Sequence, residues 1–244
     1  MDRPTKDLEH VYVTERVYLH SLDEIVNKIL APLRAKQYTP DEILTQSEIT
    51  LIFGTVEMIL NLQTEFLLPL FGVEVNLNHL ADIPEKPPRL PKWKHLAKEF
   101  RTKEWSMLKR FYVQYAAQGD IKWKHLEQDI GSGSNSPFCR FMESLDKTRD
   151  DFRTLMLAPW RRIHFLHEVF KNAEKTYKLS RRCKRLLREA IQELHEVSDE
   201  SDSRLDLQMR AVKALNPRFT AVLPYSPKPR QVKYQSSLLK LFFY

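Results

Sequence analysis

The stretch TERVYLHSLDEIVNKILAPL (residues 14–33) decides the fold, because its apolar residues recur at steps of three and four, as on one side of an α-helix. The stripe starts upstream and comprises Leu8, Val11, Tyr18, Leu22, Ile25 and Ile29. Glu15 fills the position that is missing from this series. A carboxylate in a packing surface costs free energy unless it pairs with a neighbouring arginine, reaches solvent or is covered by a partner. The residues alone leave these three possibilities open, and pairing or contact with solvent is the commoner outcome for a single acid of this kind.

The remaining sequence predicts an all-α fold of six long helices. Only five of 244 residues are glycine, and Leu, Glu, Lys and Arg dominate. The first helix should cover about residues 7–37, and a capping box at Thr39 and Glu42 should open the second. The proline-rich segment 83–91 excludes regular helix, and Pro159 should kink the fifth helix.

Two segments are predicted to lie outside the regular bundle. A short helix over residues 120–130 is followed by the glycine- and serine-rich break GSGSNSP (residues 131–137). After residue 212 the chain is basic and rich in proline. We therefore assign residues 1–212 to one domain and 213–244 to a linker or to the start of a following domain.

Several classes of function are disfavoured by what the sequence lacks. No apolar run approaches the roughly 20 residues of a membrane span, and the N-terminus has no signal-peptide core, so we expect a cytoplasmic protein. Cys139 and Cys183 are not in a CxxC motif and should be reduced. His164 and His167 have no accompanying Cys or acid cluster, so we assign no metal. The glycines of GSGSNSP lack the Lys and Ser or Thr of a phosphate loop, and no cofactor is assigned.

The net charge of +7 is concentrated in one basic patch, residues 171–188, which holds eight Lys or Arg and a single acid. A solvated helix face and a surface for an acidic protein or anionic lipid both fit this pattern. Nucleic acid is disfavoured, because few aromatic residues are interleaved with the basic ones.

Three separated stretches together resemble the Dbl-homology domain, the exchange module of Rho-family guanine nucleotide exchange factors. The first is residues 14–33 with LIFGTVEMILNLQTEFL (51–67), similar to the family's first conserved region. FYVQYAAQGD (111–120) with SPFCRFMESL (136–145) is similar to the second. LMLAPWRRIHFLHEVFKNAEKTYK (155–178) resembles the third, LIxPxQRIxRYxLLL. Order and spacing agree over about residues 7–212.

The resemblance implies an elongated six-helix bundle of the Dbl-homology type that binds the switch segments of a Rho, Rac or Cdc-type GTPase. It implies that GDP release is promoted without covalent chemistry, so the protein is not an enzyme in the covalent sense. Glu15 would engage the first switch, and the resemblance therefore implies that Glu15 lies at the edge of the packing surface, open to a partner. The GTPase-binding set that it implies is Thr14, Glu15, Arg161, Arg162, Phe165, Arg185 and Arg188.

The chain departs from the family pattern at positions that matter for exchange. Arg161 replaces the usual Gln, Phe165 and Leu166 replace a basic residue and a Tyr, and Arg188 aligns near a common Asn. One alternative is therefore a degenerate domain that binds a GTPase or acts as a scaffold without exchange. A third class is a helical protein peripheral to membranes that binds anionic lipid through the basic patch.

Overall fold

The computed structural model describes residues 3–75, 77–118 and 136–215. In these ranges every regular element is helical and none is a β-strand, which confirms the predicted all-α class. The predicted short helix over residues 120–130 lies outside the described residues. The α-helices are α1 Arg3–Asp23, α2 Ala31–Ala35, α3 Gln46–Phe53, α4 Val56–Phe66, α5 Trp93–Glu99, α6 Lys103–Ala117, α7 Pro137–Ser144, α8 Arg149–Met156, α9 Ala158–Thr176 and α10 Arg181–Leu215.

Tighter and wider helical turns connect some of these helices. The segment Glu24–Leu30 is π-helical and joins α1 to α2, while Leu68–Phe71 and Leu77–Asp82 are 3-10 turns. Pro32 lies in the first turn of α2, directly after the π-helical segment. The predicted first helix is thus a succession of three helical segments that ends at Ala35.

The predicted start of the second helix is wrong. Glu42 accepts a hydrogen bond from the backbone N–H of Tyr38 at 2.7 Å, but this region forms a turn and not a helix. The capping box lies further on: Thr45 Oγ1 accepts from the N–H of Glu48 at 3.3 Å, and Glu48 Oε2 accepts from the N–H of Thr45 at 2.7 Å. Of the two capping sequences, the one next to the buried apolar residues of α3 starts the helix.

Two breaks divide helices that the sequence predicts as continuous or kinked. Gly54 separates α3 from α4 with a φ of +46°, a backbone conformation that favours glycine. Leu157 separates α8 from α9, and Pro159 lies in the first turn of α9. The predicted interruption at Pro159 is confirmed.

α4 is central to the bundle, as its broad apolar arc predicts. It packs against both α1 and α6, while α1 also packs against α9. The helical stretch Gln46–Phe71 is long and apolar enough to cross a membrane by length and composition alone, contrary to our expectation from the sequence. Because 61% of that window is buried inside the bundle, its apolar side chains are those of a core helix.

The domain boundary that we predicted at residue 212 stays a prediction. Residues up to Leu205 form one compact unit, and a second unit begins at Asp206. Cys139 and Cys183 are free thiols.

Candidate functional site

Glu15, the leading candidate from the sequence, is fully buried at 0% exposure on α1. Its Oε2 forms an ion pair with Nη2 of Arg162 on α9, and its Oε1 accepts a hydrogen bond from Nε2 of Gln63 on α4 at 2.6 Å. The expectation that Glu15 lies open at the edge of the packing surface is therefore wrong. The physical reason is that α9 packs against α1 and supplies the charge that a buried carboxylate requires.

Arg162 is buried beside Glu15 and is held by several groups of α1. Its Nη1 donates to Thr14 Oγ1 at 2.9 Å, and its Nη2 donates to the carbonyl oxygen of Val11 at 3.4 Å. The guanidinium carbon lies 5.2 Å from the centre of the Phe165 ring, within the range of a cation–π contact. Arg162 thus ties α9 to α1, and no part of its guanidinium is presented to solvent as a separate binding group.

Two tyrosines extend this contact into what we call the buried polar cluster: Glu15, Gln63, Arg162, Tyr18 and Tyr112. The Tyr112 hydroxyl donates to Gln63 Oε1 at 2.9 Å, and the hydroxyls of Tyr18 and Tyr112 lie 2.9 Å apart. The five side chains come from α1, α4, α6 and α9. A hydrogen-bonded chain through four helices fixes their register, because each lost contact leaves a buried polar group without a partner.

Burial determines the protonation behaviour of the cluster. It raises the pKa of the Glu15 carboxyl, while the charge of Arg162 and the hydrogen bond from Gln63 oppose that rise. Burial also raises the pKa values of the Tyr18 and Tyr112 phenols, so both remain neutral hydrogen-bonding groups. The arrangement stabilises the packing of four helices and offers a carboxylate only if Arg162 moves away.

Thr14 and Phe165, two further predicted site residues, are half-buried next to this cluster. The Thr14 hydroxyl donates to the carbonyl oxygen of His10 at 2.8 Å and accepts from Arg162. The Phe165 ring packs edge-on against the His10 ring, with centroids 5.3 Å apart. Arg161 precedes Arg162 on α9 and is half-buried. The structure therefore brings the α1 and α9 members of the predicted set together.

Arg185 and Arg188, the predicted site residues of α10, lie on the protein surface and not in the buried polar cluster. Both are exposed, and each lies near an acid of the same chain. Arg188 donates to Glu174 Oε1 from Nε at 3.0 Å and from Nη2 at 2.8 Å, while Arg185 Nε lies 3.7 Å from Glu189 Oε1. None of the contacts found in the described residues joins them to the buried polar cluster.

The sequence did not point to Gln63 and Tyr112 as members of a site. A usable signal was present for Gln63, which occupies a position of the apolar arc of α4 and is only 1% exposed. A polar residue in that arc requires a buried partner, as Glu15 does. Across the described ranges, no group of His, Cys, Asp or Glu could hold a metal ion.

The chain belongs to the RhoGEF, or Dbl-homology, domain family, because the family model of the RhoGEF domain matches residues 8–202. The matched range includes α1, α4, α6 and α9, and therefore every member of the buried polar cluster. No curated protein sequence matches the chain.

Solved structures of the same fold include exchange factors. The DH/PH domains of PDZ-RhoGEF in complex with GTPγS-activated RhoA give a TM-score of 0.62 at 13% identity, covering 84% of this chain and 56% of that one. A structure of the Vav1 exchange factor gives a TM-score of 0.61 at 18% identity, covering 91% of this chain and 54% of that one. The DH domain of FARP2 gives a TM-score of 0.57 at 15% identity, covering 88% of this chain and 96% of that one. The chain thus spans little more than half of the first two relatives, and these similarities show the fold.

Proposed function

We propose that this chain binds a Rho-family small GTPase of the Rho, Rac or Cdc type in the cytoplasm and promotes the release of its GDP. The observation that carries the proposal is the family match over residues 8–202. One solved structure of the same fold is a complex with RhoA, which supports a Rho-family partner.

The proposed mechanism is reciprocal coupling between two binding equilibria. If the chain binds the empty GTPase more tightly than the loaded one, the GTPase must bind nucleotide less tightly when the chain is present. No covalent step is needed.

The burial of Glu15 changes its part in this proposal. Direct contact of its carboxylate with a GTPase requires Arg162 to leave a site where it is paired and hydrogen-bonded. We therefore assign Glu15 as a positioning residue that holds α1 against α9. The side chains offered to the GTPase are then those of the surrounding α1–α9 surface, with Phe165, together with exposed Arg185 and Arg188 on α10.

A second candidate function is GTPase binding without exchange. Two observations favour it: Arg162 seals Glu15 inside the bundle, and an aromatic ring at Phe165 occupies the position where the family pattern has a basic residue. A domain of this kind would act as a scaffold or would sequester the GTPase.

The decisive experiment measures binding and exchange in parallel. Release of fluorescent GDP from Rho, Rac and Cdc-type GTPases would be followed with the 244-residue chain, alongside its affinity for each nucleotide-free GTPase. Accelerated release supports exchange, binding without acceleration selects the second candidate, and neither response across the panel contradicts both.

Variants of exposed residues test whether the arginines of α10 belong to the GTPase-binding surface. Arg185→Ala/Arg188→Ala should weaken GTPase binding without unfolding the bundle, because both side chains are exposed. Arg34→Ala/Arg140→Ala is the matched control, since it removes two exposed arginines that lie outside α10. Equal binding by all three proteins would remove the α10 arginines from the proposed interface.

Phe165→Lys tests whether the missing basic residue limits exchange. One new charge-assisted contact is worth about 1.5–3 kcal/mol, so the variant should raise the exchange rate roughly tenfold or more. Phe165→Leu is the control for lost packing against Arg162 and His10. A rate unchanged in Phe165→Lys, with thermal stability intact, would show that this position does not limit exchange.

A further inference from the structure

A cavity of about 430 Å³ lies apart from the buried polar cluster, between the start of α1, the segment that leads into α5, and the connection from α9 to α10. Part of its wall is apolar and is formed by Leu8, Leu90, Trp93 and Leu179. This volume falls within the range of small-molecule sites.

Three lysines line the same cavity: Lys92, Lys94 and Lys178. Among the residues that the structure describes, no acidic side chain lines the cavity and none of the three lysines forms an ion pair. Elsewhere in the bundle Lys109 and Lys147 each pair with a glutamate. The three lysines are exposed, and they give the rim of the cavity a positive charge that attracts an anion.

Trp93 provides an independent indication of a missing acceptor. It lines the cavity, is only 4% exposed, and its indole Nε1–H has no hydrogen-bond partner among the described residues. A buried donor without an acceptor costs free energy that an oxygen atom of a ligand would recover. The first turn of α10 is already capped by Ser180, whose Oγ accepts from the N–H of Cys183 at 3.3 Å, so the lysines and Trp93 are the available donors.

We propose that this cavity binds the phosphomonoester of an anionic phospholipid headgroup. The lysines neutralise the phosphate, the Trp93 indole donates to one of its oxygens, and the apolar wall contacts the less polar part of the lipid. Nucleic acid fits less well, because the ring of Trp93 is packed against Phe170 and Tyr177 and is not available for stacking on a base.

The basic patch (residues 171–188) includes two kinds of cation, those near an acid of the same chain and one that lines the cavity. Lys171, Arg185 and Arg188 lie within ion-pair distance of acids of the same chain, whereas Lys178 lines the cavity. Membrane binding should therefore depend on the cavity lysines more than on the total positive charge.

The first test is co-sedimentation of the 244-residue chain with vesicles of phosphatidylcholine, alone or containing phosphatidylserine or a phosphatidylinositol phosphate. Binding should be strongest to the phosphoinositide vesicles. Lys92→Gln/Lys94→Gln/Lys178→Gln should lower that affinity roughly 100-fold, since each lysine near an anionic surface contributes about fivefold. Lys28→Gln/Lys98→Gln/Lys103→Gln removes the same charge from exposed lysines outside the cavity and should bind nearly as well as the unaltered chain.

Equal losses in the two triple variants, or equal binding to phosphatidylcholine alone, would overturn the cavity as the site. A soluble inositol phosphate should compete with the vesicles. If the soluble inositol phosphate binds the chain while phosphoinositide vesicles do not, the ligand is a free phosphate and not a lipid headgroup, and the proposal is overturned. Trp93→Phe keeps an aromatic ring but removes the donor, so it should weaken binding several-fold. Because Trp93 is buried, the substitution should also lower the melting temperature, and binding is therefore compared well below the unfolding transition; unchanged binding would overturn the role of the indole.

Discussion

Two of the arginine–glutamate pairs in this protein join helices in opposite surroundings. The side chains of Arg162 and Glu15 are 2% and 0% exposed, whereas those of Arg34 and Glu57 are 43% and 34% exposed. The exposed pair is bidentate, with distances of 2.5 and 2.7 Å. Breaking the exposed pair should still cost less stability than breaking the buried one, because water screens its charges and solvates the partner that is left. Solvent exposure, more than hydrogen-bond geometry, sets what each pair does for the fold.

The largest expected effect comes from removing one charge of the buried pair. Arg162→Met should lower the free energy of unfolding by about 3–5 kcal/mol, because Glu15 is left as a buried charge without its cation. Urea unfolding followed by circular dichroism measures this. The double variant Glu15→Leu/Arg162→Met should recover most of the loss, since neither charge remains. A single variant within about 1 kcal/mol of the unaltered chain would contradict the buried ion pair.

Gln63→Leu should have the next largest effect. It removes the donor to Glu15 and the acceptor for Tyr112, and we expect a loss of about 1–3 kcal/mol in the same unfolding measurement. Gln114→Leu is the control, because Gln114 is exposed on α6. Similar small changes in both variants would show that the hydrogen bonds of Gln63 do not organise the cluster.

A smaller, pH-dependent effect is expected at His164. Burial lowers its pKa below the ordinary value of 6.5, the charge of His167 acts in the same direction, and Glu168 opposes both. Because the folded-state pKa is depressed, the neutral ring contributes stability above about pH 6.5 that is lost as the pH falls through the folded-state pKa.

His164→Gln should therefore flatten the decline in unfolding free energy between about pH 7 and 5. Measurements across that interval would use His195→Gln as the control, since His195 is exposed on α10. An identical decline in His164→Gln and the unaltered chain would remove His164 as a source of the pH dependence.

The smallest effect is expected for the exposed pair. Arg34→Ala should cost about 0.2–1 kcal/mol, and added salt should reduce that cost, because the charges are accessible to counterions. Unfolding at low and high ionic strength tests this directly. A loss as large as that of Arg162→Met would mean that exposure is not what distinguishes the two pairs.

Much of the helical architecture could be predicted from local sequence. The stripe of α1 and the interruption at Pro159 depend on spacing and backbone chemistry within a few residues, and both are present. The start of the second helix was not predictable from its capping sequence alone, since Thr39 and Glu42 resemble a capping box as much as Thr45 and Glu48 do. The neighbouring core residues decide between them.

The sequence by itself determined an all-α RhoGEF domain with a carboxylate at a position that demands a partner, because helical periodicity and the order of the three motifs are properties of the linear chain. Only the tertiary structure decided which partner Glu15 has. Arg162 contacts Thr14 and Glu15 from nearly 150 positions away, as the separation of 148 between Thr14 and Arg162 shows. The packing of α9 on α1 creates that proximity, and with it the low-dielectric setting in which the two charges stabilise each other.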